Sequence, residues 1–267
     1  MQRALAILLV VSLLASCETG GPSWERLPAT ADPQPSGTSD LREYKESYYR
    51  SLGTTFSGTL SLAELVAECA STRIVWLGDL HDDRELHARQ RHLLEELCAR
   101  GTRLALLLEA IGIEDEPVVT SYLADQIGRT TLRRLIHDRW PKSWLDDPDL
   151  DGAHYQAMLD FAKQEHIPVH ALEPVPRGPL SERDVTMARR IRELAARYPD
   201  RTLVVHVGSA HLLGHGDLVG KVGARGVVIG AKLSAPLEVE LQGVAQARQE
   251  CIRTANGVVF LLRVPGR

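Results

Sequence analysis

Short apolar runs separated by amphipathic stretches recur along most of the chain. The runs at 73–77, 104–108, 167–172 and 202–207 have the length and composition of buried strands, and a β-branched run follows at 226–230. Between them, apolar residues recur at helical spacing. Because strands alternate with helices, the pattern predicts an α/β fold with a mostly parallel central sheet and helices on both faces.

The helical stretches have recognisable start and stop signals. Ser61 and Glu64 have the spacing of a capping box, which opens a helix ending near residue 70. Gly101 follows another stretch at the position where glycine commonly ends a helix. The segments expected to be helical are 41–50, 61–70, 84–100, 114–139 with a break near residue 128, 151–165 and 181–197.

The remaining segments are less regular. Residues 237–241 alternate well enough to predict an edge strand, and residues 258–264 predict a last strand. The segment 140–148 is rich in tryptophan and proline and is not periodic. It is either an ordinary connection between helices or a lid near a binding site.

One four-residue pattern follows two of the predicted strands. Gly78 is followed three residues later by His81, and Gly208 is followed three residues later by His211. Glycine allows the chain to turn sharply where a strand ends, and ligands of α/β proteins bind at that edge of the sheet. We therefore expect His81 and His211 to share a site.

Carboxylates follow the other two strands. Glu109 ends one apolar run and Glu173 ends another, while Asp79 lies in the first glycine turn. A carboxylate after a strand often caps the next helix, but glutamate is a poor N-cap residue. Pro174 follows Glu173, so that residue also fits a plain turn.

This set of side chains fits three kinds of chemistry. Imidazoles and carboxylates bind divalent metals, and they also serve as acids and bases in hydrolysis. A haem iron could use a histidine of the same set. The metal ligands would be His81, Glu109, Glu173 and His211, and the catalytic residues of a hydrolase would be His81, Glu109 and His211.

The first residues have the pattern of a bacterial lipoprotein signal. Arg3 precedes an apolar run at 4–15, which is too short for a stable membrane span. The run ends in Leu14-Ala15-Ser16-Cys17, which looks like a lipobox. We expect residues 1–16 to be removed and Cys17 to carry lipid. The alternative is an ordinary secretory signal.

The residues after Cys17 predict the membrane to which the protein is anchored and the tether that joins the anchor to the domain. Residue 18 is glutamate rather than aspartate, so we expect the outer membrane, facing the periplasm. Residues 17–40 are rich in proline and glycine and predict a flexible tether. Residues 41–267 are long enough for a single α/β domain.

The net charge and the cysteine pattern argue against several classes of function. The net charge of −4 and the lack of a basic stretch with interleaved aromatic residues argue against nucleic-acid binding. Cys69, Cys98 and Cys251 allow at most one disulfide, and we expect Cys69 and Cys98 to be buried thiols. Without a Cys-x-x-Cys motif, neither a zinc knuckle nor covalently attached c-type haem is indicated.

Several of these motifs together resemble a known family. Gly78-Asp79-Leu80-His81-Asp82-Asp83 resembles the glycine–acid–x–histidine–acid motif of the ChaN-like haem-binding lipoproteins, in which glutamate is usual at the position of Asp79. Glu109, the Arg183-Asp184 pair and the second glycine–histidine pattern resemble its later motifs. The resemblance covers roughly residues 55–230. The wider Tiki superfamily also includes erythromycin-esterase-like enzymes and metal-dependent proteases.

The resemblance implies haem binding in iron uptake and allows a homodimer. It does not assign an iron ligand by motif, so chemistry alone supplies the candidates. Those for haem contact are His81, His87, Tyr155 and His211, with Tyr122 a further chemical possibility. His87 fits a solvated helical histidine equally well. Two functions are left open: a lipid-anchored haem-binding protein and a metal-dependent hydrolase.

Overall fold

A computed structural model describes residues 38–138, 142–224, 226–244 and 250–262. The predicted signal, Cys17 and most of the predicted tether lie outside these ranges. The strands are β1 (Phe56–Leu60), β2 (Ile74–Asp79), β3 (Leu104–Gly112), β4 (Val169–Glu173), β5 (Thr202–Gly208), β6 (Val227–Ile229), β7 (Cys251–Thr254) and β8 (Val259–Leu261). The helices are α1 (Thr38–Ser51), α2 (Leu62–Ser71), α3 (Arg84–Ala99), α4 (Glu116–Leu123), α5 (Arg129–Leu135), α6 (Gly152–Gln164), α7 (Leu180–Arg197), α8 (Ser209–Leu212), α9 (Leu218–Val222) and α10 (Ala235–Val244), with a 3₁₀ turn at Ile113–Asp115.

The strands form one eight-stranded sheet in the order β1-β7-β8-β6-β2-β5-β3-β4. The strands from β8 to β4 in that order run parallel to one another. The edge strand β1 pairs antiparallel with β7, and β7 pairs antiparallel with β8. The predicted α/β fold with a mostly parallel central sheet is confirmed.

Both faces of the sheet are covered because successive side chains of a strand point to opposite faces. In β2, Val75 and Leu77 pack into one apolar cluster, and Ile74 and Trp76 pack into the other. The first cluster includes residues of α2, α3, α4 and α6, and the second includes residues of α1, α7 and α9. All six residues of β2 are buried, which explains its continuous apolar sequence.

Local signals in the sequence set several helix ends correctly. Ser61 accepts a hydrogen bond from the amide of Glu64, whose side chain reaches back to the Ser61 amide, so the predicted capping box opens α2. Gly101 follows α3 with a φ of 79°, a conformation that glycine adopts without strain. The expected break near residue 128 separates α4 from α5.

The predicted edge strand at 237–241 is wrong, because these residues lie within α10. Leu237 and Leu241 are four residues apart and pack on the same apolar cluster, which is the spacing of a helix face. Pro236 lies in the first turn of α10, where proline costs no hydrogen bond. The sequence also gave no signal for β1, whose middle residues are all exposed.

Three further expectations concern single segments. Residues 139–141 lie outside the described ranges, but Trp144 of the same segment is buried and its ring centroid lies 5.7 Å from that of Tyr155. Trp144 and Leu145 of this segment therefore pack into the core. Cys69 and Cys251 are buried thiols and Cys98 is a partly buried one. Within the described ranges, none of the helices has the length and apolar composition needed to cross a membrane.

Candidate functional site

The two glycine–histidine turns lie side by side. Strands β2 and β5 are parallel neighbours, and their register pairs Asp79 with Gly208. A Cβ atom placed on Gly208 would lie 3.4 Å from Oε2 of Glu109 and 3.6 Å from Nε2 of His81. It would also lie 3.6 Å from Cδ2 of His211. The structure therefore brings three of the predicted residues around one point, which we call the Gly208 point.

His211 is held between two carboxylates. Its Nδ1 lies 2.5 Å from Oδ1 of Asp184, and its Nε2 lies 3.3 Å from Oε1 of Glu109. Burial disfavours a charged ring, but Glu109 and Asp184 outweigh it and raise the pKa of His211 to about 9. At neutral pH His211 is therefore a cation that is bonded to Asp184 through Nδ1 and forms an ion pair with Glu109 through Nε2.

Glu109 is fixed by an arginine, a backbone amide and His211. Nη2 of Arg183 lies 2.7 Å from Oε1 of Glu109 and 2.5 Å from Oε2 of Glu173. The amide of Gly208 donates to Oε2 of Glu109 at 2.6 Å. Burial would raise the pKa of Glu109, but the positive charges of His211 and Arg183 hold it well below its usual range.

Glu173 lies behind this site. It also accepts a hydrogen bond from Nε of Arg177 at 3.0 Å, and its pKa is raised by burial. Its role is to hold Arg183, which in turn holds Glu109.

The predicted metal set does not fit a divalent cation. A metal needs lone pairs, but both nitrogens of His211 lie against carboxylates, and the guanidinium of Arg183 bridges Glu109 and Glu173. Elsewhere in the described ranges, possible donor atoms of Glu114, Asp115 and His137 lie within 4.8 Å of one another. There Nδ1 of His137 lies 2.5 Å from Oδ1 of Asp115, so a hydrogen bond accounts for that group.

His81 is the most accessible member of the site. Its side chain is 29% exposed, whereas those of Glu109 and His211 are buried. Its Nδ1 lies 2.7 Å from Oδ2 of Asp79 and 3.0 Å from the hydroxyl of Tyr155. Burial opposes a charge on the ring, but Asp79 outweighs it and raises the pKa of His81. Asp79 therefore orients the ring so that Nε2 faces the Gly208 point.

His87 and Tyr155 lie beneath the site. Nε2 of His87 is 2.8 Å from Oδ1 of Asp79, and its Nδ1 is 3.0 Å from Oδ2 of Asp151. Tyr155 donates to Oδ2 of Asp79 at 2.8 Å, and its side chain is 1% exposed. The expectation that His87 is a solvated helical histidine is wrong, because it is buried. Tyr122 is bonded to Asp160 and is not part of this site.

Two buried histidines of this region gave no signal in the sequence. His206 is an interior residue of β5, and its Nε2 lies 3.2 Å from Oε1 of Gln90. His154, on α6, stacks on His87 with ring centroids 3.8 Å apart. Neither follows a strand, and a histidine inside an apolar run is indistinguishable from a structural one.

A separate cavity lies on the other side of the end of β2. Leu80 and Asp82, the neighbours of His81 in sequence, line a space of about 480 Å³ together with Phe260. Its walls carry mixed charge, with Arg89 and Lys232 beside the acidic Asp82, Asp83 and Glu238. His81 does not line this cavity, so the cavity and the Gly208 point are distinct.

Comparison with known families agrees with the motifs. A family model described as haem-binding uptake, Tiki superfamily, ChaN matches residues 65–178. This match confirms the predicted resemblance to the ChaN-like family. The matched region includes His81, Glu109 and Glu173 and ends before Arg183 and His211.

Several solved structures are similar to this chain at low sequence identity and with TM-scores below 0.5. The type III effector HopBA1 is 14% identical with a TM-score of 0.48, and the match covers 79% of this chain and 96% of HopBA1. The MARTX toxin effector domain RRSP from Vibrio vulnificus is 17% identical with a TM-score of 0.47, covering 79% of this chain and 50% of RRSP. ChaN of Campylobacter jejuni, described by its cofacial haem binding, is 11% identical with a TM-score of 0.43. The match covers 64% of this chain and 86% of ChaN. No curated protein matches the chain in sequence.

Proposed function

We propose, from the match of residues 65–178 to the ChaN-like family, that this chain is a haem-binding protein of iron uptake. The family match is the observation that carries this proposal. When bound, haem supplies an iron centre that accepts an imidazole or phenolate ligand.

Among the candidate iron ligands, His81 fits best. Its Nδ1 is held by Asp79, and a histidine that ligates a metal usually donates its other nitrogen to a carboxylate in this way. His211 and His87 fit less well, since both ring nitrogens of each face carboxylates. Tyr155 is buried and bonded to Asp79. We therefore assign iron ligation to His81.

Titration with hemin tests the proposal. The purified protein should bind hemin saturably with a shifted Soret band, and His81→Ala should weaken binding by at least about tenfold. His92→Ala is the matched control, since His92 is a partly exposed histidine on α3, the helix that follows His81. Absence of saturable binding overturns haem binding, and unchanged affinity in His81→Ala overturns the ligand role. Light scattering during the titration tests the homodimer that the family resemblance allows.

We further propose that the protein is anchored by lipid on Cys17 at the outer membrane, facing the periplasm. The lipobox pattern Leu14-Ala15-Ser16-Cys17 supports this. Expression in a Gram-negative host with labelled palmitate should label the protein and place it in the outer-membrane fraction. Cys17→Ala should abolish both results. Labelling that survives this substitution would contradict the anchor.

One observation favours a second candidate, a hydrolase that works without a metal. Nε2 of His81 and Oε2 of Glu109 lie 3.6 Å and 3.4 Å from the Gly208 point, so both atoms border the same small space beside Gly208, where a water molecule would be activated. His81 would accept the proton of that water, Asp79 would stabilise the resulting imidazolium, and Glu109 would orient the water. The charges of His211 and Arg183 keep Glu109 ionised for this role.

A screen of nitrophenyl esters and amides in the presence of EDTA tests this candidate. Hydrolysis that persists in EDTA and is lost in both His81→Ala and Glu109→Gln supports it. Hydrolysis that needs added metal, or that survives both substitutions, contradicts it, as does the absence of any hydrolysis.

A further inference from the structure

A chain of hydrogen-bonded side chains runs from His81 into the interior. Oδ2 of Asp79 lies 2.7 Å from Nδ1 of His81, and Oδ1 of Asp79 lies 2.8 Å from Nε2 of His87. Nδ1 of His87 then lies 3.0 Å from Oδ2 of Asp151. The chain therefore joins the end of β2 to the starts of α3 and α6, two helices that are far apart in sequence.

Both nitrogens of His87 face carboxylate oxygens, which accept hydrogen bonds and do not donate them when ionised. The geometry therefore suits a doubly protonated ring that bridges Asp79 and Asp151. Burial opposes that charge, but Asp79 and Asp151 outweigh it and raise the pKa of His87. With its side chain 3% exposed, His87 is shielded from competing water.

The plane of the His87 ring is set by its neighbour. The ring of His154 stacks on it with an interplanar angle of 8°. Burial and the positive charges nearby lower the pKa of His154 to about 2, so this ring is neutral and does not repel the charge of His87. Stacking therefore holds the direction in which His87 donates to Asp79.

Asp151 acts on His81 by a second route. Its backbone amide donates to the carbonyl oxygen of His81 at 2.6 Å. It also caps α6, since its side chain accepts from the amide of His154. One residue thus fixes the backbone of His81 directly and, through His87 and Asp79, the direction of its side chain.

We propose that His87, bridging Asp151 and Asp79, is a positioning residue that aims the ring of His81. By holding Oδ1 of Asp79, His87 keeps Oδ2 directed at Nδ1 of His81. The neutral ring of His81 then carries its proton on Nδ1 and a lone pair on Nε2, the form that ligates iron or accepts a proton. The haem readout of this proposal rests on the proposed function, whereas its effect on His81 in the hemin-free protein does not.

The first test is the ¹⁵N spectrum of the His81 ring in hemin-free protein, recorded above the pKa of His81. Wild type should show the Nδ1-protonated tautomer alone. In His87→Leu, the two tautomers should be mixed, because Oδ1 of Asp79 is no longer held by His87 and the carboxylate can turn away from Nδ1 of His81. His92→Leu, on the same helix, should leave the spectrum of wild type. An unchanged His81 tautomer in folded His87→Leu overturns the proposal.

The second test is a double-mutant cycle on hemin affinity. His87→Leu should weaken hemin binding by about tenfold in wild type, the size expected for a residue that holds a metal ligand. It should weaken binding less than about twofold in His81→Ala, because its effect passes through His81. Equal losses in both backgrounds would show a general structural role and overturn the proposal.

These two tests distinguish a failure of haem binding from a failure of the positioning role of His87. If wild type binds no hemin, haem binding fails, and the spectrum of His81 still decides whether His87 positions it. If His87→Leu does not fold, as circular dichroism would show, His87→Phe takes its place. Phenylalanine keeps a flat ring to stack on His154 and has no nitrogen to hold Oδ1 of Asp79. This variant should shift the tautomers in the same direction, and a spectrum like wild type would overturn the proposal.

Discussion

Nε2 of His211 lies 3.3 Å from Oε1 of Glu109, so the histidine and the carboxylate form a buried ion pair. This pair determines what the site can do. A histidine charged by two acidic neighbours has no lone pair to give to a metal or a substrate proton. His81, which is bonded to Asp79 and partly exposed, is therefore the histidine that we propose for ligation or proton transfer.

The charge on His211 predicts how stability depends on pH. Its pKa is raised from 6.5 to about 9 in the folded protein, so its contribution is complete below about pH 6.5 and is lost as the pH rises through 9. The loss should reach about 3 kcal/mol at about 1.4 kcal/mol per pKa unit. Urea unfolding across this range should show it in wild type but not in His211→Gln. The same alkaline loss in both proteins would contradict the ion pair.

Gly208→Ala should separate function from stability. The added Cβ would make ordinary contacts of 3.4 to 3.6 Å with Glu109, His81 and His211, and the φ of Gly208 is −50°, which any residue adopts. The free energy of unfolding should change by less than about 1 kcal/mol. Hemin binding or hydrolysis should fall by more than about tenfold, because the methyl group narrows the space between His81, Glu109 and His211. Unaltered function would show that no ligand enters that space.

Arg183→Met should be among the most destabilising substitutions of α7. It leaves the buried carboxylates of Glu109 and Glu173 without their shared cation, and breaking such a buried pair costs about 3–5 kcal/mol. Arg189→Met is the control on the same helix, where the side chain is exposed and the change should stay within about 0.5 kcal/mol. Adding Glu173→Gln to Arg183→Met should restore part of the loss. Similar unfolding free energies for the two arginine variants would refute the bridge.

The acid limb of stability should depend on Glu116. Burial opposes its charge, but hydrogen bonds from His170 and the amide of Ala171, with the charge of Arg190, lower its pKa from 4.5 to about 2. Its contribution is present above about pH 4.5 and is lost as the pH falls towards 2. Glu116→Gln should flatten the acid unfolding curve in this range. A curve with the slope of wild type would exclude the pairing.

The central sheet and the grouping of His81, Glu109 and His211 could be predicted from the sequence. His81 and His211 follow buried strands, Glu109 ends the apolar run of β3 and lies inside that strand, and parallel strands bring their carboxyl ends to one edge. The register of β2 and β5 then places the two glycine–histidine turns side by side, since Asp79 pairs with Gly208. The apolar periodicity of each strand and the glycines near the ends of β2 and β5 are visible in short stretches of sequence, so these features could be predicted without knowing the packing.

The partners of these residues could not be predicted. Asp184 reaches His211 from α7, and Asp151 reaches His87 from α6, so both contacts depend on how helices pack on the sheet. The roles also depend on these contacts, because an isolated histidine in sequence does not reveal that two carboxylates bind it. The strand predicted for 237–241 failed for a related reason: a five-residue apolar pattern fits both periods.

Diffraction at the iron absorption edge, from crystals grown with hemin, tests the central claim most directly. We predict an anomalous peak beside Nε2 of His81 that is lost in crystals of His81→Ala. An iron peak away from His81, or none at saturating hemin, would contradict the assignment of this residue as the iron ligand.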